Sequence, residues 1–391
     1  MRLLHTADWH IGKELGEFSL LAEQQVAFEQ IVQLAKQYQV DGVIIAGDLY
    51  DRAIPSLAAM AELERELRVL NIAEGLPIYA VSGNHDGATR LGAGAEWRAA
   101  NDLFLNTTLA GAFTPIELAD TQIYLLPFID PTDARIYYQR SLEEYEQYAS
   151  IEQVMSDILG DMEKSFDPAK RHVLVTHYYV SGPGNENYEL TSETNSKVGG
   201  LKNLAANLFD AFDYVALGHL HLKQASPSEK VKYAGSPIKF NTKEAGNEKG
   251  VYLVDLDATG LKTTWLPLQT KKDLIVLHET YATLIDPDFY QKYERQGANY
   301  FSIRLQGFTK EQTIRQTLTE IYGDIVELQY DVTAINEHLV SQEANDLAEE
   351  LDDVALIERF YQDVSGTRLD NDMKTVIQET MIALRRDTEE A

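Results

Sequence analysis

Five β-rich stretches of this chain each run into a polar residue at their carboxyl end. Leu3 to Ala7 leads into Asp8, Gly42 to Gly47 into Asp48, and Pro77 to Gly83 into Asn84. His172 to Thr176 leads into His177, and Tyr214 to Gly218 into His219. Helical patterns lie between several of them, such as Glu23 to Tyr38 and Leu57 to Asn71. This alternation predicts an α/β layered core. In open α/β sheets, ligands gather outside the carboxyl ends of the strands, so the five polar residues are expected to share one place in the fold.

The motifs at those ends are Asp8-Trp9-His10, Gly47-Asp48-Leu49-Tyr50-Asp51, Gly83-Asn84-His85-Asp86, His177 alone and Gly218-His219-Leu220-His221. They hold five of the nine histidines, and the chain has no cysteine. Without thiolates, a metal site must use imidazole, carboxylate and amide groups, the ligand set of manganese, iron or zinc. Two divalent ions need a bridging anion, and Asp48 can touch both. Asp8 and His10, two apart on an extended segment, are expected to project to one side, and His219 and His221 repeat that spacing. Asn84 can ligate through its amide oxygen without adding charge. Each motif alone also has a bland reading. Gly47-Asp48 suits a helix cap, Asp51 a cap or support for the next helix, Gly83 to Asp86 an ordinary turn, and His177 a buried core histidine. Together, in this order and all at strand ends, they predict a dinuclear metal centre.

A length of 391 residues implies two or three domains. The first is expected over 1–270, with a helical insertion around Ser141 to Lys164 and a long polar loop from Ser181 to Gly200. A small α+β domain follows over 271–336, read as strand, strand, helix and strand. A helical segment covers 337–391, with apolar stripes at Leu347, Leu351, Val354 and Ile357 and at Met373, Val376, Ile377, Met381 and Leu384. No eighteen-residue apolar run suggests a membrane span, and the first residues lack the layout of a signal peptide, so a cytoplasmic location is expected. No P-loop motif is present, which argues against ATP hydrolysis by this chain. The formal charge of −28 is unlike the basic face of a protein that binds nucleic acid alone. Either the substrate is small, or affinity for DNA comes largely from a partner.

The ordered set resembles the calcineurin-like metallophosphoesterases, and longer stretches narrow the resemblance to the SbcD family of nuclease subunits. These are Leu4 to Gly12, Gly47 to Pro55, Phe212 to His221, Tyr233 to Ile238 and the Val198-Gly199-Gly200 end of the long loop. The resemblance covers the first 270 residues, and the remainder by layout. It implies two β-sheets flanked by helices, a small α+β capping domain and C-terminal helices. It implies Asp8, His10 and His221 as ligands of one ion, Asn84, His177 and His219 as ligands of the other, and Asp48 as the bridge. His85 would stabilise the transition state or protonate the leaving oxygen, and manganese would be the preferred metal. It further implies a DNA substrate, cut at duplex ends by 3′-5′ exonuclease action and in single strands or hairpins endonucleolytically, in repair, recombination and replication. The partner would be the ATPase SbcC, docked on the C-terminal helices, with a homodimer inside a heterotetramer. Gly87 departs from the serine of many relatives, which puts a phosphate hydrogen bond there in doubt. Arg52 and Arg90 are candidates for phosphate contact or for structural ion pairs. Two other readings stand beside this one: a phosphoesterase of small phosphodiesters or phosphomonoesters, favoured by the charge, and a non-catalytic scaffold binding DNA ends, disfavoured by the complete ligand set.

Overall fold

The structure is a computed structural model that describes residues 1–141, 151–185, 203–307 and 313–331, together with 357–358, 361, 373–377 and 380. The expectations for the loop beyond residue 185 and for most of 337–391 lie outside the described residues. The chain divides into two units. One holds Met1–Val276, Tyr293–Ser302 and Thr319–Glu327; the other holds Leu277–Lys292, Ile303–Leu318 and Leu328–Ala391.

In the first unit the strands are β1 (Arg2–Thr6), β2 (Glu14–Leu15), β3 (Phe18–Ser19), β4 (Gly42–Ala46), β5 (Ile78–Val81), β6 (Leu103–Asn106), β7 (Ile116–Glu117) and β8 (Thr121–Leu126). They continue as β9 (Arg171–His177), β10 (Val180–Ser181), β11 (Leu204–Ala205), β12 (Tyr214–Gly218), β13 (Val231–Tyr233), β14 (Gly250–Asp257) and β15 (Gly260–Pro267). One sheet has the order β15-β14-β1-β4-β5-β6 and another β13-β12-β9-β8-β7. Within the first, β1, β4, β5 and β6 run parallel, with β14 antiparallel to β1. Within the second, β8, β9, β12 and β13 run parallel.

Alternation along each strand decides how these sheets are covered. Leu3, Ile44 and Ala46 face one cluster together with Ile123, Val173, Val175, Tyr214 and Ala216 from the second sheet. Their neighbours Leu4, Val43 and Ile45 face the opposite way, into a cluster with Phe28, Ile31 and Leu63. The second sheet does the same, because Leu174, Val215 and Leu217 pack with Met155, Ile158 and Leu159. Both faces of both sheets are therefore buried, which is why the strands read as continuous apolar runs. The result is a layered arrangement of helix, sheet, sheet and helix.

The covering helices show the spacing this requires. In α1 (Leu21–Gln37) the buried residues include Ala27, Phe28, Ile31, Val32 and Ala35, one apolar stripe at helical period. In α2 (Leu57–Arg68) the Ser56 side chain caps the helix by accepting from the Ala59 amide, a contact worth about 1 kcal/mol. Ser56 thus fills the capping role that spacing suggests for Asp51. The helix Ile151–Glu163 buries Val154, Met155, Ile158, Leu159 and Met162. The strand β6 has no counterpart in the sequence pattern, because Leu103 to Asn106 is too short for an alternating signal to stand out.

Further along lie β16 (Asp273–Thr280), β17 (Asn299–Gln306), the helix Ile314–Tyr322 and β18 (Ile325–Tyr330), with a three-stranded sheet in the order β16-β17-β18. In the second unit, short helices at Tyr281–Leu284 and Pro287–Tyr290 are capped by Thr280 and Asp286.

Candidate metal centre

The ends of β1, β4, β9 and β12 deliver their polar residues to one spot, as expected, but by a different local geometry. The segment carrying Asp8 and His10 is not extended: both residues adopt left-handed backbone, with φ of 51° and 44°. Asp48 at 50° and His219 at 100° do the same. Half of the eight non-glycine residues with positive φ among the described residues thus belong to the predicted metal motifs. Such strain costs free energy at each residue and gathers where the surroundings hold it for a purpose. The turns are fixed by backbone bonds that continue beyond the strands. The Asp8 amide donates to the Gly47 carbonyl at 3.0 Å, His10 to Asp48 at 2.9 Å and Ile11 to Leu49 at 2.9 Å. Gln24, from α1, donates to the Trp9 and His10 carbonyls at 2.9 and 2.7 Å and so clamps the first loop. Gly83 is required because a Cβ there would collide with the Asp48 backbone and carboxylate.

Asp86 ties the second and third motifs together. Its buried carboxylate accepts from the amides of Leu49, Tyr50 and Gly83 at 3.1, 2.9 and 2.9 Å. Burial and the Asp48 charge push its pKa up to about 7. Nothing in the linear string signals this role beyond the turn-like composition of the motif.

The side chains form two overlapping groups. Asp8, His10 and His221 bring donor atoms within 4.8 Å of one another, as do Asp8, Asp48 and His177. His10 Nε2 lies 3.2 Å from His221 Nε2 and 3.5 Å from Asp48 Oδ2. His177 Nε2 lies 3.2 Å from Asp48 Oδ2 and 3.0 Å from Asn84 Oδ1, and His219 Nδ1 is 3.1 Å from the same amide oxygen. Asp48 therefore stands between the group of His10 and the group of His177. His85 enters differently. Its amide donates to Asp48 Oδ1 at 2.8 Å, and its Nδ1 pairs with the Asp51 carbonyl at 2.9 Å, leaving Nε2 directed elsewhere. His10, Asp51 and His85 form a third group of potential ligands. Asp51 also holds Lys13 at 2.8 Å and Arg52 at 3.4 Å, so the Arg52 candidate is an ion pair here.

Proton counting tests whether cations suit this cluster. His177 Nδ1 bonds the Ala46 carbonyl at 2.8 Å and must be its donor. Its Nε2 faces a carboxylate oxygen and an amide oxygen, neither of which can donate, so without a cation it carries a second proton towards Asp48. His221 Nδ1 bonds Glu244 Oε1 at 3.1 Å, so in the neutral ring Nε2 presents a lone pair, towards His10. Asp8 Oδ2 and His10 Nδ1 are buried with no hydrogen-bond partner among the described residues. The cluster thus has many acceptor atoms for few protons, and the proton on His177 Nε2 is one that a divalent cation can displace.

The electrostatics agree. Burial pushes the Asp8 carboxyl up to about 6 against the pull of His221 and His177. For Asp48 burial also acts upwards, but His177 and His10 outweigh it and hold the carboxylate well below its usual range. Burial depresses His10 and takes His219 down to about 3, keeping both rings neutral as ligands require.

Fold and cluster together define a metal-dependent phosphoesterase. The family model for calcineurin-like phosphoesterase matches residues 1–223. The chain is also 32% identical over 371 residues to the SbcD component of the SbcCD nuclease of Staphylococcus epidermidis, covering 94% of this chain and 95% of that protein. The chain belongs to the SbcD family of calcineurin-like phosphoesterases.

Proposed function

We propose that this chain is a DNA nuclease subunit that hydrolyses phosphodiesters with two divalent ions, most readily manganese, beside an SbcC-type ATPase. It is an SbcD-like, metal-dependent hydrolase of phosphodiesters. The reading rests above all on the acceptor-rich cluster around Asp48, whose donor set suits hard-to-borderline divalent ions. Asp8, His10 and His221 would hold one ion, Asn84, His177 and His219 the other, and Asp48 would serve both. Bound there, the ions would supply Lewis acidity for activating water and positive charge against the non-bridging phosphate oxygens.

The chain's own residues do the rest. His85, oriented through its Nδ1 by the Asp51 carbonyl, is the group we assign to give a proton from Nε2 to the leaving sugar oxygen. Asp86 holds the Asp48 loop and the Asn84-His85 turn in one register through three amides. Lys13 neutralises Asp51 beside His85.

Cleavage at duplex ends with 3′-5′ polarity and endonucleolytic cutting of single strands or hairpins belong to this proposal. So do capping of the site by 271–336, docking of 337–391 on the ATPase, and a cytoplasmic location with roles in repair, recombination and replication. Among the described residues no helix is long and apolar enough to cross a membrane. A homodimer is supported by exposed apolar groups near α2. Ile54 and Leu57 are exposed at its start, and Ile72 and Trp97 line a groove of about 490 Å³ that also takes in Arg90 and Arg98.

The −28 charge favours a second reading, in which the substrate is a small phosphodiester. End-labelled duplex DNA and bis-p-nitrophenyl phosphate, each with manganese or with EDTA and with or without the ATPase and ATP, separate the two. Manganese-dependent release of labelled fragments, increased by the ATPase, is expected. Hydrolysis of the small ester with DNA left intact, even beside the ATPase, would overturn the nuclease reading.

A further inference from the structure

His221 is backed by a buried ion pair that no step above uses. Glu244 is 0% exposed and Lys249 3%, and Lys249 Nζ lies 2.5 Å from Glu244 Oε2. The remaining protons of Lys249 go to Ser236 Oγ at 2.7 Å and to the His221 carbonyl at 2.8 Å. Glu244 Oε1 faces His221 Nδ1 at 3.1 Å and also accepts from the Asn241 side chain. The pair therefore grips His221 twice, by its ring and by its backbone. A buried ion pair is seldom the most stable filling for a core, since its desolvation cost can exceed the attraction. Its presence calls for another reason, and the two contacts to His221 supply one.

We infer that Glu244 and Lys249 are positioning residues that lock His221 in the Nδ1–H tautomer, with its Nε2 lone pair aimed at His10 and Asp8 and ready for a cation. Carboxylate partners that orient a ligating histidine tune metal affinity without touching the metal. Here the carboxylate is itself fixed by an ammonium with no acceptor capacity. Both Glu244 oxygens face donors: His221 Nδ1 and Asn241 on one, Lys249 and the Phe240 amide on the other. The inference rests on the dinuclear reading of the centre.

The geometry sets a specific outcome for Glu244→Gln. Glutamine must place its NH2 on one of the two sides. The ammonium cannot accept from it, whereas on the other side His221 Nδ1 can, by moving its proton to Nε2, and the Asn241 amide can turn to offer its oxygen. The Nε2–H tautomer cannot ligate. Adding Lys249→Met removes the ammonium, lets the glutamine oxygen return to His221, and should restore the first tautomer.

The test is manganese binding to the full chain by titration calorimetry and electron paramagnetic resonance, with Tm measured alongside. The native chain is expected to bind two ions. Glu244→Gln should weaken one of them about 10–100-fold and leave the other nearly unchanged, and the double variant should recover most of that loss. Unchanged affinity for both ions in Glu244→Gln overturns the inference while the dinuclear reading stands. Equal weakening of both ions with a fall in Tm, not recovered in the double variant, assigns the pair a purely structural role and also overturns it. Failure of the native chain to bind two ions would overturn both.

Discussion

Replacing Gly218 by alanine tests how the two halves of the centre are brought together. Gly218 ends β12, and a Cβ built there would lie 2.8 Å from His177 Nδ1 and 2.9 Å from the Ala46 carbonyl carbon, closer still to the oxygen. Ordinary contact begins near 3.4 Å, so clearing the carbonyl carbon alone takes 0.5 Å (3.4 less 2.9), and clearing the nearer oxygen drives the ends of β12 and β4 further apart still. Neither neighbour can yield alone, because His177 Nδ1 is hydrogen-bonded to that same carbonyl at 2.8 Å. Overpacking of this kind costs about 1–3 kcal/mol, or roughly 2–12 °C in Tm for a unit of this size. Displacing His177 and His219 from the Asp48 side by a fraction of an ångström to 1 Å should lower turnover roughly 10- to 100-fold. Gly160→Ala makes the same chemical change in the helix Ile151–Glu163, where a Cβ meets nothing within 4 Å. It should stabilise by about 0.5–1 kcal/mol and leave activity alone. Calorimetry and manganese-dependent hydrolysis of bis-p-nitrophenyl phosphate read both variants. Native Tm and turnover in Gly218→Ala, or equal effects of the two substitutions, would refute the reasoning.

His85→Asn removes the ring held by the Asp51 carbonyl but none of the assigned ligands. DNA cleavage should fall about 10²–10⁴-fold with manganese stoichiometry retained; native activity would cancel the proton-donor role. The pH dependence follows from His177. Burial alone would lower its pKa, but the charge and hydrogen bond of Asp48, with the charge of Asp8, outweigh this and lift it to about 9. Because the folded value exceeds the unfolded one of about 6.5, its contribution to metal-free stability is complete below about pH 6.5 and is lost as pH rises through about 9. A divalent ion needs the neutral ring, so binding should release a proton and apparent manganese affinity should climb from pH 6.5 to 8.5. Titrations in buffers of different ionisation enthalpy count that proton; affinity that stays flat or falls over this range would contradict the assignment.

What the sequence made legible was chemical type and order. Asp8, His10, Asp48, Asn84, His85, His177, His219 and His221 are polar residues at the ends of apolar runs, and such placement is conspicuous in a linear string. Their geometry was not legible. The expectation that Asp8 and His10 share a side of an extended segment fails, because both lie beyond β1 in left-handed backbone. Their convergence comes from amide bonds to the β4 loop, which no spacing rule contains. The two-sheet core came from the family resemblance and not from the hydrophobic pattern, for a related reason. Strands buried on both faces lose the period-2 signal that would tell one sheet from another. Glu244 and Lys249 were invisible because they lie 23 and 28 residues beyond His221 in a polar stretch where a glutamate and a lysine are unremarkable.

The structure also separates two questions that the −28 charge had joined. Net charge governs how a polyanion approaches, whereas the chemistry depends on charges within a few ångström of phosphorus, since exposed charges beyond about 8–10 Å are largely screened at physiological salt. At the centre itself, Asp8 and Asp48 are the only carboxylates among the seven assigned ligands. Asp51 is neutralised by Lys13 and Arg52, and Glu244 by Lys249. Two divalent ions would bring about four positive charges against two carboxylates, leaving the loaded centre cationic inside an acidic protein. Such a centre can act on a phosphodiester once the ester is held there, whereas a net charge of −28 opposes the approach of a long DNA strand. Delivery by a separate DNA-binding partner is the arrangement in which both facts make sense.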